Sequence, residues 1–346
     1  MEDEKISSTR KHSSDVFLNS KFDIRKHFSL IQPELEQTDA RILQQTEAFD
    51  PAIRGYVEYA ITSQGQRIRP ALCMLAANAT GGVRDDHYNL SIIIELIHLA
   101  SLVHDDILDD AQIRRTRLTS HAKWGVELSV LLGDCLFAHA LRMGVQLSQK
   151  QITQTIADAV GEVCAGEMIQ TQRRFDLNFS VTEYFRVIEM KTAALFRIAS
   201  GLAGAVNEAP EAWQMALTSY GNHLGIAYQI YDDCLDLLGA ESLTGKTLGT
   251  DLSKGKWTLP LLHVLHQLDE LSASDLTEMM LANEEPLQEQ IIQIIIHHGG
   301  HIFAARKAQE HLQLARRALA VLPDTHHRQS LDAIAASLHD YMNHFK

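Results

Sequence analysis

The chain is poor in proline, with seven in 346 residues. So few ring-locked residues leave long helices uninterrupted. No stretch alternates apolar and polar residues as a half-buried strand requires, which argues against a sheet. Cysteine is scarce as well. Cys73, Cys135, Cys164 and Cys234 stand far apart without a CxxC pair, and they read as small core residues in a reducing compartment. The N-terminal "MEDEKISSTRKHSSDVF" lacks the apolar stretch of a secretory signal. The apolar run "SIIIELIHLASLV" (91–103) contains Glu95 and His98 and is too short to span a bilayer. No integral membrane segment and a cytoplasmic location are therefore expected. Positive charge is in deficit: 31 Lys and Arg against 44 Asp and Glu give a net charge of −13. That balance disfavours a general binder of nucleic acid or anionic membrane. It leaves room for a local basic site that takes a small anion.

From about residue 30 onward, apolar residues recur at helical spacing. Clear cases are 127–143, 152–172, 181–206, 216–239, 259–268 and 304–322. Breaks fall where glycine and small polar residues gather, at "GQRIRP", "ATGGVRDD", "LLGAESLTGKTLGTDLSKGK" and "HHGGH". Residues 1–20 read as a disordered tail. Residues 21–346 read as a single all-α domain, long enough to bury a large core without staples.

Two clusters of the form DDxxD close long apolar helices. One is Asp105, Asp106 and Asp109 in "LVHDDILDDAQIRRTR"; the other is Asp232, Asp233 and Asp236 in "YQIYDDCLD". Positions i and i+4 share a helix face, so Asp105 with Asp109, and Asp232 with Asp236, each form a two-carboxylate claw. Such claws are costly to bury unpaired, and they suit hard divalent cations, Mg²⁺ above all. A solvated acidic helix end is the bland account of one cluster. Two clusters with basic residues close behind are harder to dismiss. The spacing is not that of an EF-hand.

The basic residues are Arg67 and Arg69 in "GQRIRP", Arg114, Arg115 and Arg117 after the first cluster, Lys191 in "EMKTAALF", Lys246 in "TGKT", and Lys254 and Lys256 in "SKGKWTLP". Carboxylates for metal beside cations for oxygen anions imply a phosphate-bearing substrate. "TGKT" lacks the glycine spacing and preceding strand of a P-loop.

From about residue 60 to 345 the chain resembles the trans-isoprenyl diphosphate synthases, or polyprenyl synthetases. The motifs that carry the resemblance are "GQRIRPAL", "IELIHLASLVHDDILDDAQIRR", "LLGDCLF", "GEMIQ", "KTAALF", "YQIYDDCLDLLG" and "GKTLGTDLSKGKWTLPLL". The resemblance implies an all-α helical bundle around a central cavity, a homodimer, and three Mg²⁺ per active site. The implied reaction joins an allylic diphosphate head-to-tail to isopentenyl diphosphate. By motif match, Asp105, Asp106, Asp109, Asp232, Asp233 and Asp236 would bind metal. Arg114, Lys191, Lys246 and Lys256 would hold the allylic diphosphate, and Lys191, Thr192, Gln229 and Lys256 would serve catalysis. Gln66, Arg69, His98 and Arg115 would hold isopentenyl diphosphate, with a hydrogen-bonded core histidine as the bland account of His98. Asp110 and Asp251 are expected at the margin of the site or on the surface.

Two positions depart from the family pattern. The family's GGKRxRP has its lysine replaced by Gln66, which brings no charge; Arg67 is the nearby compensating candidate. The family's RRG reads "RRT", with Thr116 for glycine. Product length would be set below the first cluster. Ala100 and Ser101 are small where bulky aromatics stop the chain early, and Ile97 or Phe137 would limit it deeper. A hexaprenyl to decaprenyl product is expected, with a geranylgeranyl-length product as the main rival. Close helix packing is the bland account of the two small residues. A terpene cyclase would carry a different second metal motif, and a non-catalytic partner subunit would have lost aspartates.

Overall fold

The proline-poor, helix-spaced sequence folds into helices almost throughout. The computed structural model describes residues 22–62, 65–114, 116–239, 249–282 and 284–346. After a 3₁₀ turn at Ile24–His27 come α1 (Gln32–Gln44), α2 (Arg54–Ile61), α3 (Ile68–Thr80) and α4 (Asp85–Leu108). A hairpin of β1 (Ile113–Arg114) and β2 (Arg117–Leu118) leads to α5 (Ser120–Trp124), α6 (Val126–Val145) and α7 (Lys150–Gln172). Next is one continuous rod: α8 (Val181–Ile188), a π-helical turn (Glu189–Ala193) and α9 (Ala194–Val206). The remainder is α10 (Glu211–Leu238), α11 (Thr250–Ser253), α12 (Leu259–Leu265), α13 (Glu270–Ala282), α14 (Glu285–His297), α15 (Gly300–Ala318) and α16 (His326–Tyr341). The expected tail at 1–20 lies outside the described residues.

Helix α4 is apolar on all sides, with Ile92, Ile93, Ile94, Leu96 and Ile97 all buried, as a central core helix must be. It starts with Asp85 and Asp86 in its first turn, where the helix dipole favours negative charge. It packs against α3 and α6; α9 packs against α3 and α10, and α10 against α15. Helix α8 opens with a reciprocal Ser180–Glu183 capping box. The π turn that interrupts 181–206 has no signature in the apolar spacing. Two close approaches accompany it. A Cβ on Gly166 of α7 would lie 2.8 Å from the Lys191 nitrogen, and one on Gly225 of α10 would lie 2.6 Å from the Ala193 Cα. Only glycine lets both helices come this near the turn.

The β1–β2 hairpin pairs Ile113 with Leu118 and Arg114 with Arg117, antiparallel. Thr116, where the family carries glycine, has φ 65°. The turn is left-handed here despite a β-branched residue.

Among the described residues, α6 is the one helix long and apolar enough to cross a bilayer by length and composition, with 39% of its apolar window buried. The expectation of no such segment rested on α4 and passed over α6. Its outer side exposes Leu131 (58%) and Val145 (74%), and the neighbouring α7 exposes Met168 (73%). Glu127, Asp134 and Arg142 interrupt the helix.

Candidate active site

The ends of α4 and α10, the π turn, α7 and the loop after α11 enclose a cavity of about 1000 Å³. Asp105, Asp109, Asp232 and Asp233 line it, with Arg114, Lys191, Thr192, Gln229 and Lys256. Gly65–Arg69, His98, Ser101 and Phe137 line it too. Arg115 and Lys246 lie outside the described residues.

The first claw opens into the cavity. Helix α4 stops at Leu108, and Asp109 is its C-cap, its backbone N–H donating to the Asp105 carbonyl. Asp106 is turned about a third of the way round. It leaves the main wall and accepts from Arg114 Nε at 2.6 Å in a small side cleft. Of the second claw, only Asp232 lines the cavity. Asp236 lies off the cavity wall and accepts from Thr250 Oγ1 and the Asp251 backbone N–H, both at 3.1 Å. One aspartate from each cluster thus braces a neighbouring element: Asp106 holds Arg114, and Asp236 holds the loop that carries Asp251 and Lys256.

The cations tie the two halves together. Lys256 Nζ donates to Asp109 Oδ2 at 2.7 Å and lies 3.4 Å from Asp251 Oδ1. Lys191 donates to Gln170 Oε1 at 3.0 Å, pairs with Glu167 and lies 3.7 Å from Asp105. Arg174 donates to Asp109 Oδ1 at 2.8 Å. A second chain of hydrogen bonds lines the cavity. Thr192 Oγ1 donates to Gln229 Oε1 at 2.7 Å, Gln229 Nε2 donates to Asp233 Oδ1 at 2.7 Å, and Tyr184 Oη donates to Asp233 Oδ2 at 2.6 Å.

The electrostatics are those of a site short of positive charge. Burial pushes the Asp105 carboxyl up to about 6 against the pull of Lys191, with Glu167 and Asp109 adding to the rise. Burial, then the charge of Asp251, pushes Asp233 up to about 8. Burial acts on Asp109 in the same sense, but Lys256 and Arg174 outweigh it and hold that carboxyl below its ordinary range. Lys191 and Lys256 are both raised; the surrounding carboxylates overcome the cost of burial.

Among the described residues no three His, Cys, Asp or Glu side chains converge as a self-sufficient metal cage. The donors in the cavity are carboxylate oxygens that burial makes reluctant to stay charged. That set fits a hard divalent cation held by one or two carboxylates and completed by substrate phosphates. Asp105 and Asp109 on one side, and Asp232 and Asp233 on the other, would hold it.

Sequence reading missed several members. Glu167 and Gln170 sit in the "GEMIQ" motif, one turn apart on α7, a spacing that offered a signal. Asp251, expected at the margin, lines the cavity, as does Lys254. Tyr184 and Arg174 had no local signal. Of the product-length candidates, Ser101 and Phe137 line the cavity, whereas Ala100 and Ile97 are fully buried in the helix packing behind it.

The polyprenyl synthetase family profile matches residues 50–297. The chain belongs to that family. Membership makes it a prenyltransferase enzyme. The octaprenyl diphosphate synthase of Haemophilus influenzae is 34% identical over 307 residues, 88% of this chain and 93% of that protein. A short chain isoprenyl diphosphate synthase of Methanothermobacter thermautotrophicus is 33% identical over 306 residues, 87% of this chain and 94% of that one. A polyprenyl synthase from Caulobacter crescentus, crystallised with calcium and isoprenyl diphosphate, superposes with a TM-score of 0.86 at 31% identity, covering 92% of this chain and 99% of that one. The superposition bears out the all-helical fold expected from the sequence.

Proposed function

We propose that this enzyme elongates an allylic diphosphate with isopentenyl diphosphate, head-to-tail and Mg²⁺-dependent, to a long trans-polyprenyl diphosphate. The observation that carries the reading is the meeting of both acidic clusters, with interleaved Lys191, Lys256 and Arg114, on one cavity. The length reading, hexaprenyl to decaprenyl, rests on the small Ser101 on the cavity wall and on the likeness to an octaprenyl diphosphate synthase.

The allylic C1–O bond breaks, and its electron pair leaves with diphosphate. The terminal alkene carbon of isopentenyl diphosphate then bonds to the cationic C1. Loss of a proton from the adjacent CH₂, to the departed diphosphate, restores a double bond. Lys191, Lys256 and Arg114 face the growing negative charge, where preorganised cations stabilise the transition state. The Thr192–Gln229–Asp233 chain fixes the Gln229 amide, so its carbonyl dipole and the Thr192 oxygen face the cationic carbon. Arg69 and His98, which line the same cavity, hold isopentenyl diphosphate. Three Mg²⁺, held by the cavity carboxylates, would supply charge neutralisation for the leaving group. The walls of the cavity exclude the water that would quench the cation.

The exposed apolar residues of α6 and α7, where Leu131, Val145 and Met168 stand outward, support a homodimer. Such a face fits a self-complementary two-fold interface. A cytoplasmic location accords with four cysteines that form no disulfide.

The test is a product assay. Purified enzyme is incubated with Mg²⁺, labelled isopentenyl diphosphate and farnesyl diphosphate, and products are sized by mass spectrometry. A ladder reaching beyond the hexaprenyl product supports the full reading. A stop at geranylgeranyl overturns the length, and no product overturns the activity. Sedimentation decides the dimer.

A further inference from the structure

We infer that Arg25, carried by the segment ahead of α1, supplies the cation for the diphosphate of the five-carbon substrate at the end of the cavity where the family's lysine is replaced by Gln66. This rests on the prenyl-transfer reading above and adds to it a residue outside the family motifs.

Arg25 lines the cavity together with Gly65–Arg69. The segment that carries it is pinned on both sides. Phe22 is buried against Tyr231 and Tyr341, with ring centroids 6.1 and 5.7 Å away, and its N–H donates to Tyr231 Oη at 3.2 Å. Ile24 is fully buried, and His27 Nε2 lies 2.8 Å from Ser337 Oγ. Between these anchors the Arg25 side chain stays open, at 67% exposure.

Gln66 has been put to another use. Its amide Nε2 donates to the Phe22 carbonyl at 3.2 Å. The position that carries charge elsewhere in the family therefore ties down the segment that brings Arg25. Its Oε1 is buried with no hydrogen-bond partner among the described residues, and a carbonyl oxygen does not attract an anion. Arg67, the compensating candidate by sequence, is already engaged. It donates to Asp39 at 2.7 Å and to Glu95 at 2.6 Å.

Arg25 keeps donors to offer. Asp23 takes its Nε and Nη2 at 2.9 and 2.8 Å. A guanidinium has five N–H groups in a planar fork, so the Nη1 side remains for a bidentate contact to phosphate oxygens. Asp23 also caps the 3₁₀ turn, accepting from the Arg25 backbone N–H at 3.0 Å. It thereby fixes the side chain before the ligand arrives, which lowers the ordering cost of binding.

The experiment measures initial rates against isopentenyl diphosphate concentration, at saturating farnesyl diphosphate and Mg²⁺, for the full-length enzyme and four variants. Arg25→Met should raise KM for isopentenyl diphosphate about tenfold, the scale of one charged hydrogen-bonded contact. Its kcat and its KM for farnesyl diphosphate should stay within about twofold, and its melting temperature should match the parent. Arg25→Lys should recover part of the loss. Arg25→Met combined with Gln66→Lys should recover most of it, because a positive charge returns to the same cavity lining. Lys26→Met removes a neighbouring exposed charge and should change nothing. An Arg25→Met enzyme with unchanged KM overturns the role of Arg25 while leaving prenyl transfer standing. An equal rise in Lys26→Met also overturns it, by showing a diffuse charge effect. A parent enzyme that makes no product overturns the prenyl-transfer reading itself, and the role of Arg25 with it.

Discussion

Lys256 and Asp109 stand 147 residues apart in the chain and meet at 2.7 Å across the cavity. The contact joins the C-terminal end of α4 to the loop after α11, so the two acidic regions are held together by a cation before any ligand is present. In the proposed reaction, Lys256→Met removes a donor to the leaving diphosphate. Its kcat should fall by about 10²-fold, the usual cost of losing one preorganised donor. Arg174 still holds Asp109, so the variant should fold. Steady-state kinetics beside a circular dichroism melt separates the two effects.

Ala100 and Ser101 are adjacent and equally small, yet only Ser101 lines the cavity. Ser101→Phe should shorten the product by several isoprene units with little loss of turnover. Ala100→Phe should instead overpack the core and cost about 1–3 kcal/mol of stability. Mass spectrometry of products and denaturant melts of both variants test the distinction.

Thr116 holds a left-handed turn that its branched side chain disfavours. For a non-glycine residue such a conformation costs about 1–2 kcal/mol. Thr116→Gly should therefore raise the melting temperature by about 2 °C, after the added entropy of glycine in the unfolded chain is set against the relief. A fall in melting temperature would show that contacts of the threonine outweigh its backbone strain.

His311 lies with its Nδ1 3.0 Å from Nδ1 of His223, and only one of the two rings can donate. Burial, reinforced by His223, pushes His311 down to about 4. The unfolded chain titrates near 6.5, so between the two values the unfolded state binds more protons. The stability this group contributes is present above about 6.5 and is lost as pH falls towards 4. The parent protein should lose melting temperature over that interval more steeply than His311→Gln. Scanning both proteins in parallel isolates this group from the other titrating side chains.

The all-helical fold was legible because periodicity is a local property. The helices at 127–143, 152–172 and 216–239 appear within a few residues of those bounds, and 181–206 appears as one rod. The π turn within that rod was not legible, since it depends on Gly166 and Gly225 admitting two other helices to within contact of residues 191–193. The membrane-length α6 was overlooked because α4 is the more continuous apolar run.

The site divides in the same way. The sequence by itself determined the groups on offer: two DDxxD clusters and a set of lysines and arginines, whose composition and spacing suit the divalent cations and phosphate of the proposed reaction. Tertiary structure decided which of those groups face the cavity. It sent Asp106 to Arg114 and Asp236 to Thr250, brought Glu167, Tyr184 and Asp251 into the site, and put Arg25 and Gln66 on the same cavity. Helical spacing fixes a side chain's direction relative to its own helix. Which neighbour lies in that direction is settled only when the helices pack.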